Sequence, residues 1–265
     1  MRRALITALL FLCGSAVLAE TVAVIGTGRM GSAIGPRMAE LGHTVVYGSR
    51  EPGREDVAAL VGRTGGDASA RLSADAIPEA DIVILAVPWA AVEGIVASVD
   101  NWSGKLIIDM TNPMQVGEDG YFFHPLDEAG AQKVARWATG ATVVKAFSTV
   151  GSFAIADLSS AGGPVTVQVA ADDRDAKCRV MQLGADLGFE SYDAGPLKHA
   201  KILEDSSMLF MLNFSHGTIA DTSHELHRRK NDNYKNAIAM MPDDQRPPWA
   251  RGEPMVPGYQ PCEIE

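Results

Sequence analysis

Three glycines near the start of the chain have a spacing that could bind a phosphate group. Gly26, Gly28 and Gly31 form the pattern G-x-G-x-x-G, which follows the apolar run at 22–25 and opens a segment with helical periodicity. The first glycine allows a tight bend, the second lets a pyrophosphate approach the backbone, and the third lets helix and strand pack closely. Free N–H groups and the helix dipole favour an anion there. The pattern therefore predicts a dinucleotide-binding turn, the alternative being a glycine-rich turn without a ligand.

The end of the second predicted strand indicates which dinucleotide binds. NAD sites usually carry Asp or Glu at this point, where the acid binds the ribose 2′-hydroxyl. Here Ser49 and Arg50 occupy the tip, and no acid does. Ser49 can donate a hydrogen bond to a 2′-phosphate, and Arg50 can pair with it through charge-assisted hydrogen bonds. Arg54 would add a second positive charge, or would pair with an acid close to it in sequence. We therefore expect NADP(H) rather than NAD(H).

Short apolar segments alternate with amphipathic segments between residues 21 and 214. The predicted strands are 21–26, 44–47, 82–87, 105–109, 142–147, 165–170 and 189–193. Several are continuous apolar runs, as expected of strands that are buried on both faces of a parallel sheet. Apolar residues recur with helical spacing at 29–41, 173–187 and 197–214. The alternation predicts an α/β fold that is Rossmann-like and doubly wound, with a mostly parallel sheet, a small insert and a closing C-terminal helix.

Three predicted strands end in small or polar residues that should meet at one edge of this sheet. Val87, Pro88 and Trp89 end one strand, 109–113 ends the next, and 145–149 ends a later one. Ligands of open α/β sheets bind beyond the carboxyl ends of the strands. We therefore expect these residues beside the cofactor, with Trp89 near its nicotinamide or its adenine. The alternative is that Pro88 only stops the strand and that Trp89 covers the core.

Taken together, these motifs resemble the family of NADPH-dependent coenzyme F420 reductases, whose domain also occurs in metalloreductases of the STEAP type. The resemblance covers about residues 21–215 and includes the segments VVKAF at 143–147 and DAGPL at 193–197. It implies direct hydride transfer between NADPH and a deazaflavin, and we expect coenzyme F420 or FMN as the second substrate. The expected cofactor-binding residues are Gly26, Thr27, Gly28, Arg29, Met30, Gly31, Ser49, Arg50, Arg54, Val87, Pro88, Trp89 and Ala146. The segment between 112 and 140 departs from the family and would border the pocket of the second substrate.

Hydride transfer between two stacked rings needs orientation more than acid–base groups, so no catalytic side chain is required. Lys145 and His199 are nevertheless candidates for a catalytic acid. For Lys145 the competing expectation is a strand residue whose amine reaches the surface. His216, His224 and His227 could suggest a metal, but we expect solvated polar residues there and no metal site.

Two other functions stay open. The chain could be an NADPH-binding module or sensor that serves a separate reductase. It could also reduce a small organic substrate, as pyrroline-carboxylate reductases do. That second function needs a substantial helical domain after the dinucleotide fold, whereas this chain offers one late apolar helix at 197–214.

Charge and cysteine content restrict the partners. The 265 residues carry a net charge of −10, which argues against nucleic acid and anionic membranes, because phosphate binding needs clustered Lys and Arg. A small-molecule redox acceptor is the expected partner, and a homodimer is compatible with the sequence. Cys13, Cys178 and Cys262 have no C-x-x-C spacing and exclude a disulfide scaffold. Cys178, on a helix with an apolar face, is expected to be a core residue or an inert surface thiol.

The first 19 residues have the features of a secretory signal peptide. Arg2 and Arg3 precede an apolar run of about 15 residues, shorter than the roughly 20 that span a membrane, and Ala19 ends a small-residue cleavage site. We expect an exported protein, periplasmic or secreted, with no membrane span after cleavage. The alternative is a cytoplasmic protein in which this segment is not used. The mature chain would comprise an NADP-binding domain with an acceptor pocket at 20–217 and a polar, proline-rich tail at 218–265.

Overall fold

The computed structural model describes residues 19–215, together with 258, 260 and 262–264. Its strands are β1 (Thr21–Ile25), β2 (Thr44–Ser49), β3 (Ser69–Leu72), β4 (Ile82–Leu85), β5 (Leu106–Asp109), β6 (Gln115–Val116), β7 (Phe122–Phe123), β8 (Thr142–Lys145), β9 (Thr166–Ala170) and β10 (Glu190–Gly195). Its α-helices are α1 (Arg29–Glu40), α2 (Glu55–Thr64), α3 (Ser73–Ala76), α4 (Val92–Ala97), α5 (Gly130–Trp137), α6 (Ser152–Ala156), α7 (Arg174–Asp186) and α8 (Ala200–Ser215). Short 3-10 helices lie at Trp89–Ala91, Leu158–Ala161 and Leu197–His199.

Within residues 19–215, eight strands form one sheet in the order β10-β9-β8-β5-β4-β1-β2-β3. The strands from β3 to β8 in this order are parallel, which is the strand order of a doubly wound dinucleotide-binding fold. β9 meets the end of β8 in the antiparallel direction, and β10 runs parallel to β9. The carboxyl ends of β1, β2, β4, β5 and β8 therefore lie at one common edge.

Helices cover both faces of the sheet. Alternate residues of β1 belong to opposite cores, because successive side chains of a strand point to opposite faces. Val22 and Val24 pack on the face that also buries Met38 of α1, whereas Ala23 and Ile25 pack on the face that buries Val134 of α5. This two-sided burial accounts for the continuous apolar runs in the sequence.

The predicted fold class is confirmed, and every predicted strand has a counterpart whose ends differ by a few residues. The sequence pattern missed β3, whose residues are half-buried or exposed at the edge of the sheet and therefore show no apolar run. It also missed the small antiparallel hairpin formed by β6 and β7, in which each strand has two residues. This hairpin lies between residues 112 and 140, in the segment that is expected to border the pocket of the second substrate.

Cys178 of α7 forms a disulfide bond with Cys262. The expectation that Cys178 is a core residue or an inert thiol is therefore wrong. The two cysteines are 84 residues apart in sequence, and their Cα atoms are 5.2 Å apart in space, so tertiary packing rather than a local spacing motif brings them together. Cys262 and Ile264 pack against the core face that also contains α7. Cys262 and Ile264 thus lie on the domain.

Some sequence predictions concern residues outside the described part of the chain. The proposed signal segment lies almost wholly within 1–18, and the histidines at 216, 224 and 227 are likewise not described. Within residues 19–215, no helix combines the length and the apolar composition that crossing a bilayer requires.

Candidate functional site

The turn between β1 and α1 has a shape that fits a pyrophosphate. Gly26 has a φ of +111°, and a Cβ there would lie 2.5 Å from the carbonyl oxygen of Ala86. A Cβ on Gly31 would lie 1.8 Å from the carbonyl oxygen of Gly26, so strand and helix approach closely because neither glycine has a side chain. A Cβ on Gly28 would meet nothing within 4 Å. The space in front of Gly28 is therefore open to a ligand that approaches the start of α1.

The tip of β2 lies at the same edge of the sheet. Ser49 is buried, and its Oγ accepts a hydrogen bond from the N–H of Glu51 at 3.2 Å, which leaves the hydroxyl free to donate. Arg50 is exposed and forms no ion pair with another residue of the described chain. Arg54 instead donates hydrogen bonds of 2.7 and 2.6 Å to Asp56, and this guanidinium lowers the pKa of the Asp56 carboxyl. The tip thus offers one guanidinium that has no ion-pair partner among the described residues, which fits a 2′-phosphate.

A cleft of about 990 Å³ runs along the carboxyl ends of the strands. This volume is in the range of cofactor and small-molecule sites. Six predicted site residues line it, namely Gly28, Arg29, Met30, Val87, Pro88 and Trp89. Residues after β5 and β8 form the opposite wall, and α8 contributes Ser206, Ser207, Leu209 and Met211. The cleft is therefore closed on one side by the predicted C-terminal helix.

Other predicted residues lie next to the cleft rather than in its wall. Gly26 and Gly31 form the inner side of the glycine turn, and Ala146 is fully buried behind the turn that follows β8. His199 is half-buried, and its Nδ1 lies 2.7 Å from the carbonyl oxygen of Ala194. His199 does not line the cleft.

Trp89 is held in place by a second tryptophan. Its ring stacks on that of Trp137 of α5, with a centroid distance of 5.6 Å and an interplanar angle of 25°. The amine of Lys133 lies 5.4 Å from the centroid of the Trp137 ring on the same helix. Trp89 lines the cleft, and the stacking therefore holds an aromatic ring in place beside it.

The turn after β8 contains a residue with unusual backbone geometry. Among the described residues, Phe147 is the only non-glycine with a positive φ, at 59°. Such conformations cost about 1–3 kcal/mol and persist where packing enforces them. The buried ring of Phe147 contacts Phe189 edge-on at a centroid distance of 5.7 Å, and Thr149 donates a 2.9 Å hydrogen bond to Gln168 of β9. These contacts hold the turn so that Ser148 and Thr149 face the cleft.

Lys145, at the end of β8, belongs to a buried network of ionisable side chains. Its Nζ lies 3.1 Å from Asp109 Oδ2 and 3.0 Å from Glu204 Oε1, and the three side chains are fully buried. His124 Nε2 lies 3.0 Å from Glu204 Oε2. The amine also donates to the carbonyl oxygen of Thr111. The expectation that this amine reaches the surface is therefore wrong, because neighbouring carboxylates compensate its charge inside the protein.

This network joins the elements that form the far wall of the cleft. Asp109 Oδ1 accepts hydrogen bonds from the N–H and the hydroxyl of Thr111, at 2.8 and 2.7 Å. Glu204 of α8 accepts hydrogen bonds from the N–H groups of Gly130 at 2.8 Å and Ala131 at 3.2 Å, at the start of α5. A carboxylate at a helix N-terminus is stabilised by the helix dipole. β5, β8, α5 and α8 are thereby connected beneath the cleft.

The sequence pattern does not reveal that Asp109, Glu204 and His124 belong to one network. A signal was nevertheless present, because Asp109 and Lys145 each end a continuous apolar run and Glu204 lies in the apolar helix. Ionisable residues in buried segments need partners. Which residues pair could be learned only from the fold.

The sequence of this chain is similar to those of known oxidoreductases. A family model described as NADP oxidoreductase, coenzyme F420-dependent, matches residues 21–113. The F420-dependent NADP reductase of Methanothermobacter thermautotrophicus is 30% identical over 210 residues, which cover 74% of this chain and 89% of that protein. Metalloreductase STEAP3 of Rattus norvegicus is 26% identical over 186 residues, which cover 70% of this chain and 36% of that protein.

A solved structure shows the same fold. The crystal structure of a candidate F420-dependent NADP reductase from Arthrobacter sp. FB24 matches with a TM-score of 0.71 at 24% identity, and the match covers 79% of this chain and 100% of that one. The resemblance inferred from the glycine turn, the Gly-Ser-Arg tip and the later motifs is thereby confirmed. The chain belongs to the family of F420-dependent NADP oxidoreductases.

Proposed function

We propose that the chain transfers a hydride between NADPH and a deazaflavin of the coenzyme F420 type. The observation that carries this proposal is a single cleft that begins at the open side of Gly28 and continues past Trp89 to the wall formed by α8. Such a cleft can hold a dinucleotide along the sheet edge with a second ring beside its nicotinamide. The names of the family model and of the relative from Methanothermobacter support F420 as the acceptor class.

NADP(H) is favoured by the tip of β2. Arg50 would pair with a 2′-phosphate, and the Ser49 hydroxyl would donate a hydrogen bond to it. Arg54 would have to break its hydrogen bonds to Asp56 before it could bind the phosphate. Its contribution to NADP(H) binding would therefore be smaller than its position suggests. The open space at Gly28 would let the pyrophosphate reach the first N–H groups of α1.

The wall opposite the glycine turn suits a flat aromatic acceptor. Met110, Met114, Met211, Phe153 and Leu209 line it, and methionine packs favourably against aromatic rings. Of the described residues that line the cleft, Arg29 alone has an ionisable side chain. This composition fits a reaction in which the protein binds and orients two rings and excludes water, while bound NADPH supplies the hydride.

The proposal can be tested with NADPH that carries deuterium at one of the two C4 positions. Purified protein is mixed with F420 or with FMN, and the reduced acceptor is analysed by mass spectrometry and NMR. We expect one of the two NADPH stereoisomers to transfer its deuterium to the central ring carbon of F420. Tight NADPH binding without label transfer to F420 and without oxidation of NADPH by either acceptor would favour the alternative of a cofactor-binding module or sensor.

We further propose that the protein is exported and that cleavage after Ala19 produces the mature chain. The disulfide between Cys178 and Cys262 supports this proposal, because disulfides persist in oxidising compartments and are rare in the cytosol. Cleavage would also remove Cys13 and leave the disulfide pair as the sole cysteines of the mature chain. N-terminal sequencing should therefore find Glu20, and the unfolded mature protein should react with no thiol reagent until it is reduced. An intact N-terminus or free thiols would favour the cytoplasmic alternative.

A further inference from the structure

Asn112 and Ser148 each carry a buried polar atom that has no hydrogen-bond partner among the described residues. Asn112 follows β5, Ser148 follows β8, and both line the cleft. The atoms are Asn112 Oδ1 and Ser148 Oγ, and Ser148 as a whole is only 7% exposed. Buried polar atoms in native proteins nearly always have partners. A pair of exceptions in one cleft therefore points to polar groups of a ligand.

The two residues are also fixed relative to each other. Asn112 Nδ2 donates a 2.8 Å hydrogen bond to the main-chain oxygen of Ser148. This bond determines which end of the Asn112 amide is the donor, so Oδ1 is the end that remains as a free acceptor. The Ser148 hydroxyl can donate or accept. Together they present one acceptor and one donor from adjacent strand ends.

We propose that Asn112 Oδ1 and Ser148 Oγ bind the carboxamide of the nicotinamide ring. A carboxamide places an N–H donor beside a C=O acceptor, which matches the free acceptor of Asn112 and the hydroxyl of Ser148. Both residues lie beyond β5 and β8, whereas the tip that would bind the adenosine phosphate lies beyond β2 on the other side of the glycine turn. A dinucleotide extends across this crevice, so its nicotinamide half lies over β5 and β8.

This assignment rests on the proposed binding of NADP(H) and adds a function to it. Two hydrogen bonds to the carboxamide fix the rotation of the nicotinamide ring about its bond to the ribose. They thereby determine which face of the ring is turned toward the acceptor. The pyrimidine ring of a deazaflavin offers the same adjacent N–H and C=O groups, so the experiment must distinguish these two ligands.

The test uses Ser148→Ala, which removes the unpartnered hydroxyl and nothing else. Ser191→Ala is the matched control, because Ser191 Oγ is also buried without a described partner but lies in β10 outside the cleft. Calorimetry measures the Kd of NADP⁺ and of 2′-phospho-ADP-ribose, which lacks the nicotinamide. We expect Ser148→Ala to weaken NADP⁺ about 3- to 10-fold and to leave 2′-phospho-ADP-ribose unchanged. Ser191→Ala should change neither Kd.

A ligand variant tests Asn112 without a mutation. The 3-acetylpyridine analogue of NADP⁺ keeps the C=O group and lacks the N–H donor that Asn112 Oδ1 would accept. We expect wild-type protein to bind this analogue about 3- to 10-fold more weakly than NADP⁺. Ser148→Ala should weaken both ligands by the same factor, because the hydroxyl contacts the C=O group that they share.

The outcomes separate this inference from the proposed function. An unchanged Kd of NADP⁺ in Ser148→Ala overturns the carboxamide assignment. If the same variant bound F420 more weakly, Asn112 and Ser148 would be assigned to the deazaflavin instead. Wild-type protein that binds neither NADP⁺ nor 2′-phospho-ADP-ribose overturns the inference together with the cofactor on which it rests. The expected Kd changes without hydride transfer to any acceptor would support the inference and contradict only the proposed reaction.

The unfolding temperature of ligand-free Ser148→Ala should match that of wild type, since the Ser148 hydroxyl bonds to no described residue.

Discussion

Lys145 Nζ lies 3.0 Å from Glu204 Oε1, and neither side chain is accessible to solvent. This contact joins the end of a central strand to the helix that closes the cleft. Two buried charges are expensive to desolvate, and their attraction compensates only when further hydrogen bonds satisfy them. Here Asp109 and the N–H groups at the start of α5 supply those bonds. The position of α8 over the cleft therefore depends on a buried charge network.

Glu204→Gln should destabilise the fold strongly. It leaves the fully buried Lys145 amine with one carboxylate partner instead of two, and breaking a buried pair in this way costs about 3–5 kcal/mol. Urea unfolding at neutral pH measures the loss. Glu128→Gln is the control, because it breaks the exposed pair with Arg136, and its effect should be far smaller. Equal losses in the two variants would show that the buried network has no special role.

Arg50→Ala should reduce the preference for NADPH over NADH. The change would remove the charge-assisted hydrogen bond that we propose between Arg50 and the 2′-phosphate, and it should weaken NADPH binding by roughly 1–3 kcal/mol, with little effect on NADH. Fluorescence titration of both nucleotides provides the measurement. Arg63→Ala is a suitable control, because Arg63 is exposed in the last turn of α2, away from the tip. If Arg50→Ala weakened both nucleotides alike, the assignment of the tip would be wrong.

The stability of the protein should fall as the pH is lowered through the range where histidine titrates. Burial lowers the pKa of His43, and Arg179 lowers it further, against the opposing carboxylates of Glu20 and Asp186. The unfolded chain therefore binds a proton near pH 6.5 that the folded chain resists, so stability present above that pH is lost below it. His43→Asn keeps an acceptor for the N–H of Glu20, which His43 Nδ1 binds at 3.3 Å.

The check for His43 is the unfolding free energy of both proteins between pH 8 and pH 5. Wild type should lose more stability than His43→Asn over this interval, and the two curves should run parallel above pH 7.5. Cleavage after Ala19 would place the new α-ammonium of Glu20 beside His43, which would lower its pKa still further. Profiles that stay parallel down to pH 5 would rule out His43 as the source of the dependence.

Loss of the disulfide should destabilise the protein, and a reductant should not destabilise the variant that lacks the disulfide any further. Cys262→Ser opens a loop that spans 84 residues. We expect its free energy of unfolding to fall by about 2–5 kcal/mol, which is typical for the removal of a native disulfide. Thermal unfolding with and without dithiothreitol makes the comparison. The reductant should lower the Tm of wild type to that of Cys262→Ser and leave the variant unchanged. A wild-type Tm that is insensitive to reduction would contradict this account.

Local patterns were sufficient to predict the fold class and the segments that meet at one edge of the sheet. The glycine turn, the Ser49–Arg50 tip and the Pro88–Trp89 strand end each combine a strand signal with residues of special backbone or charge, and such signals are local. The structure places them at one sheet edge as expected. The edge strand β3 was not predicted, because its four residues are half-buried or exposed and form no apolar run.

The remaining features depend on contacts between residues that are distant in sequence. The partners of Lys145 come from β5 and from α8, and the bond from Asn112 to Ser148 spans 36 residues. The partner of Cys178 is in the C-terminal segment. No periodicity or spacing rule encodes such pairs, so they could be found only after the fold was known.

The disulfide turns part of the chain into a covalent ring. Residues 178–262 form this ring, and they include β10 and all of α8. A protease that cuts once between residues 216 and 257 would therefore release no fragment, because the last residues would stay attached to α7 through Cys178. The nicked protein would migrate as one species until it is reduced, and reduction would then release the segment that contains Cys262.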